Sequence, residues 1–164
     1  MPERRANSEP VDPVKLLKED HVKVKGLFDE FEATENRRSK MRIARETILE
    51  LDVHAGIEEE IFYPAFRAEI EEEESDEIIL EAEEEHHVVH LLIAEIKELL
   101  GTDDERFEAK FTVLMENVRH HMEEEEQEML PKADQLGEER LAELGAEMAA
   151  RKKELQRELK RAAA

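Results

Sequence analysis

The 164-residue chain has no cysteine and no tryptophan, one tyrosine, five glycines and five prolines. Without cysteine there can be no disulfide frame, thiolate zinc site, iron–sulfur cluster or cysteine nucleophile, so any metal must sit on His, Glu or Asp. No apolar run approaches the roughly 18 residues of a membrane span, and no basic stretch followed by an apolar one opens the chain. The expectation is a soluble, cytoplasmic protein. Cations are also short: Lys+Arg number 24 against 45 Asp+Glu, a net charge of −21. Such acidity disfavours nucleic acid and anionic membranes as partners, because both attract basic surfaces.

What is abundant is Glu, Leu, Ala and Lys, all strong helix formers, with few of the residues that interrupt helices. The chain reads as all-α: an up-down-up-down antiparallel four-helix bundle over residues 12–131, with an N-terminal arm (1–11) and an additional C-terminal helix (132–164). Asp12-Pro13 supplies a cap and a first-turn proline for helix one, which reaches about Ala33 with Val14, Leu17, His21, Val24, Phe28 and Phe31 on its seam. Helix two, from about Arg37 to Ile70, places Thr47, Leu51, His54, Glu58, Ile61 and Ala65 on one face, with a kink expected near Tyr63-Pro64. Glu71 to Glu74 is a connection, and Ser75-Asp76 caps helix three. Its seam is Ile79, Ala82, His86, His90, Ile93, Lys97 and Leu100, and it ends at Gly101. Thr102 with Glu105 predicts a capping box opening helix four, with Phe107, Phe111, Leu114, Val118, His121 and Glu125 on the seam and Pro131 as its end. Residues 132–164 differ in charge, with eight Lys or Arg against seven Asp or Glu. Leu141, Leu144, Met148, Leu155 and Leu159 form a stripe interrupted by Arg151 and Lys152, predicting a helix packed on the bundle or on a second subunit as a homodimer.

An internal repeat carries the chemistry. His54 is followed by Glu58 and Glu59 and, ten residues on, by Pro64; His121 is followed by Glu125 and Glu126 and, ten residues on, by Pro131. A carboxylate four residues after an imidazole lies one helical turn away on the same face. His86 and His90 repeat that spacing, and His21 adds an imidazole from helix one. Burying an uncompensated polar group costs roughly 2–7 kcal/mol, so seven on one level would exceed the roughly 5–15 kcal/mol net stability of a domain. Something must bind them. One tetrahedral ion uses four donors, whereas two ions sharing bridging carboxylates use seven and keep an open position. The candidate ligands are therefore His21, His54, Glu58, His86, His90, His121 and Glu125, a set suited to iron, manganese or zinc.

At these residues the chain resembles the hemerythrin-like, or HHE cation-binding, family, whose motif is His, His-x-x-x-Glu, His and His-x-x-x-Glu on four successive helices. The resemblance covers about residues 13–131, including Asp20-His21, His54 with Glu58-Glu59 before Tyr63-Pro64, Glu85-His86, and His121 with Glu125-Glu126 before Pro131. It implies two iron ions (Fe2+/Fe3+), oxo- or hydroxo-bridged, with Glu58 and Glu125 as bridging carboxylates. Three imidazoles would serve one iron and two the other, with O2 at the less saturated iron. His90 matches the second histidine of the oxygen-carrying members. A carboxylate four residues after His121 departs from their pattern, which uses an Asp five residues on.

The remaining polar residues have plainer roles. His87 and His120 adjoin ligands but point about 100° away, to the surface or to an outer sphere. The glutamate runs lack the spacing and glycine of a calcium loop and, Glu125 excepted, are mostly solvated faces; Tyr63 either reaches the metal pocket or fills the core at the kink, the second being expected, and the six phenylalanines are core. The leading expectation is a non-haem di-iron protein binding O2 or a related diatomic for sensing, delivery or scavenging. The alternatives are an oxidase or peroxidase acting on iron(II), peroxide or nitric oxide, and a metal- or redox-responsive regulatory module using the C-terminal helix. Turnover is left open, although five imidazoles to two carboxylates lean toward binding, since ferritin-like oxidases are carboxylate-rich.

Overall fold

The computed structural model describes residues 9–71 and 73–163, and among them there is helix and no strand. Helix α1 (Pro13–Ala33) starts where Asp12 caps the free N–H of Val14, 2.9 Å from its Oδ1. Asn36 caps α2 (Arg37–Ile57) by accepting from Ser39 N. A π-helical turn (Glu58–Phe62) leads into α3 (Tyr63–Glu69). Helices α4 (Glu73–Leu99) and α5 (Arg106–Glu124) follow, then a second π turn (Glu125–Met129), a 3-10 turn (Leu130–Leu136) and α6 (Glu138–Ala163). Gly101 and Gly137 take positive φ, +81° and +84°, at the ends of the third and fourth bundle segments, a conformation that favours glycine. The result is a helical bundle of α1, α2 with α3, α4 and α5, with α6 as the additional C-terminal helix. Among the described residues no helix is long and apolar enough to cross a membrane.

The kink expected near Pro64 is a π turn, and it recurs before Pro131. Proline has no N–H to donate, so the helical ladder widens just before it: Tyr63 N bonds to Glu58 O, and Leu130 N to Glu125 O, each five residues back. The extra residue rotates everything downstream by about 100°. Phe62, Tyr63 and Phe66 therefore fill the core, while Ile61 and Ala65, expected there, are partly buried. On α4 the buried face runs Ile79, Ala82, His86, Val89, Ile93, Ile96, an alternation of three and four. That alternation passes over His90 and Lys97, whose side chains are 43% and 52% exposed.

Two expected caps do not form. Thr102 Oγ1 donates back to Leu99 O, and Asp104 Oδ1 accepts from Arg106 N, so α5 opens at Arg106 without a Thr102–Glu105 box. Helix α4 begins at Glu73, which places Ser75 and Asp76 inside its first turn rather than at its cap. Residues 1–8 of the N-terminal arm, and Glu72 of the glutamate run, lie outside the described residues.

The apolar core is in two parts. One holds Val24, Phe28, Phe31, Ile48, Ile93, Phe107 and Phe111; the other holds Leu17, Ile57, Phe62, Phe66, Ile79, Met129, Leu144 and Met148. On α1, α4 and α5 the break between them falls at a histidine or its partner carboxylate, and on α2 it falls at Asp52, two residues before His54, so a polar layer crosses the middle of the bundle. The stripe of α6 packs on the chain's own bundle, against α1 and α2, with Leu144, Met148 and Leu155 buried. A β-carbon on Gly145 would fall 1.8 Å from the Val11 carbonyl oxygen, a backbone atom that cannot turn aside. Gly145→Ala should therefore destabilise the protein by about 1–3 kcal/mol, as overpacking does, despite alanine's better helix propensity. Thermal and urea unfolding followed by circular dichroism checks this.

Candidate metal centre

Six of the seven candidate donors meet in that polar layer, all buried: His21 from α1, His54 from α2, His86 from α4, His121 from α5, and Glu58 and Glu125 from the first positions of the two π turns. Their inward atoms form two clusters. His21 Nε2 and His54 Nε2 are 3.2 Å apart, and His86 Nε2 and His121 Nε2 are 3.1 Å apart. Each carboxylate spans both pairs. Glu58 turns Oε1 to His54 and Oε2 to His86 at 3.2 Å; Glu125 turns Oε1 to His21 at 3.3 Å and Oε2 to His121 at 3.4 Å.

The outward nitrogen of every imidazole meets a carboxylate. His21 Nδ1 lies 2.7 Å from Glu126, His54 Nδ1 3.0 Å from Asp20, His86 Nδ1 2.7 Å from Glu59, and His121 Nδ1 2.5 Å from Glu85. A carboxylate behind Nδ1 fixes the tautomer with the proton on Nδ1 and leaves the Nε2 lone pair facing inward, the arrangement common around metal-bound histidines. Each of these four carboxylates neighbours a candidate ligand in sequence, but each serves an imidazole on a different helix, so sequence adjacency could not pair them.

His90 stands apart from the layer. Its exposed ring places Nε2 2.7 Å from Glu59 Oε1, the same oxygen that meets His86 Nδ1. The spacing of four from His86 suggested a pair, but the seam of α4 steps from 86 to 89. Tyr63 moves the other way. Its hydroxyl bonds to Glu58 Oε2 and lies 2.7 Å from Glu125 Oε2, 3.1 Å from His86 Nε2 and 3.3 Å from His121 Nε2. Of the two places the sequence offers Tyr63, the metal pocket or the core at the kink, the core is favoured because a regular helix gives no reason to aim it inward; the π turn supplies the missing rotation. His120 is largely exposed and 3.1 Å from Glu124, and His87 is exposed.

The electrostatics of the layer call for positive charge. Burial opposes the His54 imidazolium, yet Glu58, the Asp20 hydrogen bond and Glu125 outweigh it and push its pKa up to about 10. Burial likewise opposes charge on His121, but Glu125, Glu58 and Glu85 hold its pKa well above the ordinary value. Burial would raise Glu58, and the surrounding imidazoles keep it well below the usual carboxylate range. The Tyr63 phenol is pushed up by burial and by the charges of Glu125 and Glu58. Even so, Glu58 Oε1 and Glu125 Oε1 have only the imidazole contacts described above, and neither makes a well-formed hydrogen bond. Two buried carboxylate oxygens without a well-formed hydrogen bond, four inward imidazole nitrogens and no sulfur donor fit hard or borderline cations. Among the described residues, the groups able to hold an ion include His21, His54, Glu58 and Glu125 as one set, and Glu58, His86 and His121 as another.

Helical bundle and histidine–carboxylate layer together define a four-helix-bundle protein able to hold metal. The hemerythrin HHE cation binding domain model matches residues 12–133, and the chain belongs to that family. It is 30% identical over 145 residues, 85% of its length and 84% of theirs, to the uncharacterized proteins Rv2633c of Mycobacterium tuberculosis and Mb2666c of Mycobacterium bovis. Among solved structures it is similar to a hemerythrin HHE cation binding domain-containing protein, the Rv2633c homolog from Mycobacterium kansasii. The TM-score is 0.74 at 29% identity, over 89% of this chain and 88% of that one.

A pH prediction follows. In the metal-free protein the raised His54 pKa contributes stability that is fully present below its unperturbed 6.5 and is lost as pH rises through about 10. A cation must displace that proton, so metal binding at neutral pH should release protons and tighten as pH rises. Titration calorimetry in buffers of different ionisation enthalpy checks this; a binding heat that does not change with buffer contradicts it.

Proposed function

We propose that this chain is a non-haem dinuclear iron protein that binds O2 or a related small diatomic or peroxide for sensing, delivery or scavenging. The observation that supports it most is the shared use of the two carboxylates, each giving one oxygen to the His21/His54 pair and the other to the His86/His121 pair. His21, His54, Glu58 and Glu125 would hold one ion; His86, His121, Glu58, Glu125 and the Tyr63 oxygen would hold the other. His90, expected as a ligand, acts instead through Glu59 on the ring of His86. Imidazole and carboxylate alone also suit manganese or zinc, whereas the Tyr63 oxygen, were its proton displaced by the ion, would add a hard anionic donor that favours iron(III). Two irons held this way would supply Lewis acidity and one-electron chemistry to a small oxygen species.

The chain's own residues set what can reach them. A cavity of about 30 Å³ lies against His54, His86, His90 and His121, its remaining wall apolar and including Val89, Ile93 and Met122. That is room for one molecule the size of water or a diatomic and no larger substrate. Its largely apolar wall favours a neutral guest. The four Nδ1 carboxylates hold the imidazole rings in place, and Glu58 and Glu125 hold them at a common level.

One observation favours the second reading, an oxidase or peroxidase. Tyr63 holds a proton at its oxygen, hydrogen-bonded to both central carboxylates. A proton stored there suits a reaction that consumes protons, as peroxide reduction does.

Loading the protein anaerobically with iron(II), then recording metal content and the optical spectrum in air and again under argon, separates the two. Two irons per chain with a band that appears in air and fades under argon support binding. Two irons that oxidise irreversibly support the second reading, and fewer than two of any metal overturn the dinuclear assignment. If the Tyr63 oxygen is a donor, the iron(III) protein should also carry a visible phenolate charge-transfer band. Tyr63→Phe should remove it while keeping two irons.

A further inference from the structure

The four imidazole–carboxylate pairs are not equivalent. The side chain of Asp20 behind His54 is 7% exposed, whereas those of Glu85, Glu126 and Glu59 are 22%, 32% and 38% exposed. Asp20 also has a second partner from outside the bundle. Its Oδ2 faces His54 Nδ1 at 3.0 Å, and its Oδ1 accepts from Lys152 Nζ on α6. Lys152 lies beyond residue 133, where the family match ends.

Helix α6 is built to keep Lys152 there. Met148 and Leu155, about one turn on either side, are buried in the core. Leu155 occupies the space beside Gly56, where a β-carbon would come within 2.7 Å of its Cδ1. Gly56 stands two residues after His54. Arg151 donates to both oxygens of Glu60, at 2.6 and 3.2 Å, two residues after Glu58. The helix thus flanks the segment that carries both His54 and Glu58. In the other half, besides His121, the groups beside Glu85 are His120 at 3.8 Å and Glu124, a second carboxylate.

We infer that α6 is a working part of the metal centre: Lys152, through Asp20, positions His54 and sets metal affinity at the His21/His54 position independently of the His86/His121 position. This rests on the dinuclear reading above. A buried carboxylate held between an ammonium and an imidazole N–H keeps one rotamer. Without the ammonium one side of that clamp is gone, the carboxylate is free to turn toward solvent, and the His54 ring loses the group that holds it.

The test is anaerobic titration of the metal-free full-length protein with cobalt(II), whose visible bands report the donors of each ion. Wild type, Lys152→Met and Lys152→Arg are compared, with the melting temperature of each metal-free form recorded. Wild type should take up two ions. Lys152→Met should weaken one binding event about tenfold, the lower end of the effect of removing a group that supports a metal ligand. The cobalt bands of that ion should shift while the other event is unchanged, and Lys152→Arg should restore both. Two unchanged affinities in Lys152→Met would overturn the inference and leave the dinuclear reading standing. So would equal weakening of both events with a lowered melting temperature, since that marks a helix that merely packs. Fewer than two ions in wild type would overturn the dinuclear reading itself, and the inference with it.

Discussion

Glu58 and Glu125 are carboxylates buried in the middle of an otherwise apolar bundle, and they can stay ionised there only beside compensating positive charge. The surrounding arrangement answers that constraint. Four imidazoles converge on the two carboxylates from four helices, and four further carboxylates hold the imidazoles from behind. The core divides into two apolar parts above and below this layer, so the polar groups form one connected sheet across the bundle instead of scattered penalties. Position within the sheet is set by the backbone: both carboxylates open a π turn, and both π turns precede a proline that denies the ladder its next donor.

The two halves of the centre follow one pattern. Asp20-His21 of α1 corresponds to Glu85-His86 of α4, and the segment from His54 to Pro64 corresponds to that from His121 to Pro131. Even the cross-helix bonds repeat: Asp20 serves His54 as Glu85 serves His121, and Glu126 serves His21 as Glu59 serves His86. Two differences break the pattern. Tyr63 stands where the other half has Leu130, giving one cluster a phenol oxygen, and Lys152 reaches Asp20 from α6, giving the other cluster a fixed cation. The two clusters within this repeated frame are therefore chemically distinct.

Much of this was legible in the sequence. The repeated His-x-x-x-Glu with proline ten residues after each histidine located both halves of the layer, and the seams of α1 and α5 match the buried faces closely. What escaped was everything that depends on a departure from 3.6 residues per turn. The π turn moves the buried face from Ile61 and Ala65 to Phe62 and Phe66 and swings Tyr63 into the centre, which no regular periodicity anticipates. His90 departs from the buried layer for the opposite reason: the helix keeps to its alternation and buries Val89, leaving His90 exposed beside Glu59, within reach of His86. Lys152 looked like an interruption of an apolar stripe. Its long side chain lets it lie along that stripe and still place its charge on Asp20.

The central claim is that one buried layer holds two cations through shared carboxylates. Anomalous X-ray scattering from crystals of the iron-loaded protein, recorded on both sides of the iron edge, tests it most directly. The account predicts two iron peaks per chain, one beside His21 and His54 and one beside His86, His121 and Tyr63, each in contact with Glu58 and Glu125. A single peak, or peaks confined to the surface group of Glu85, His120 and Glu124, would contradict it.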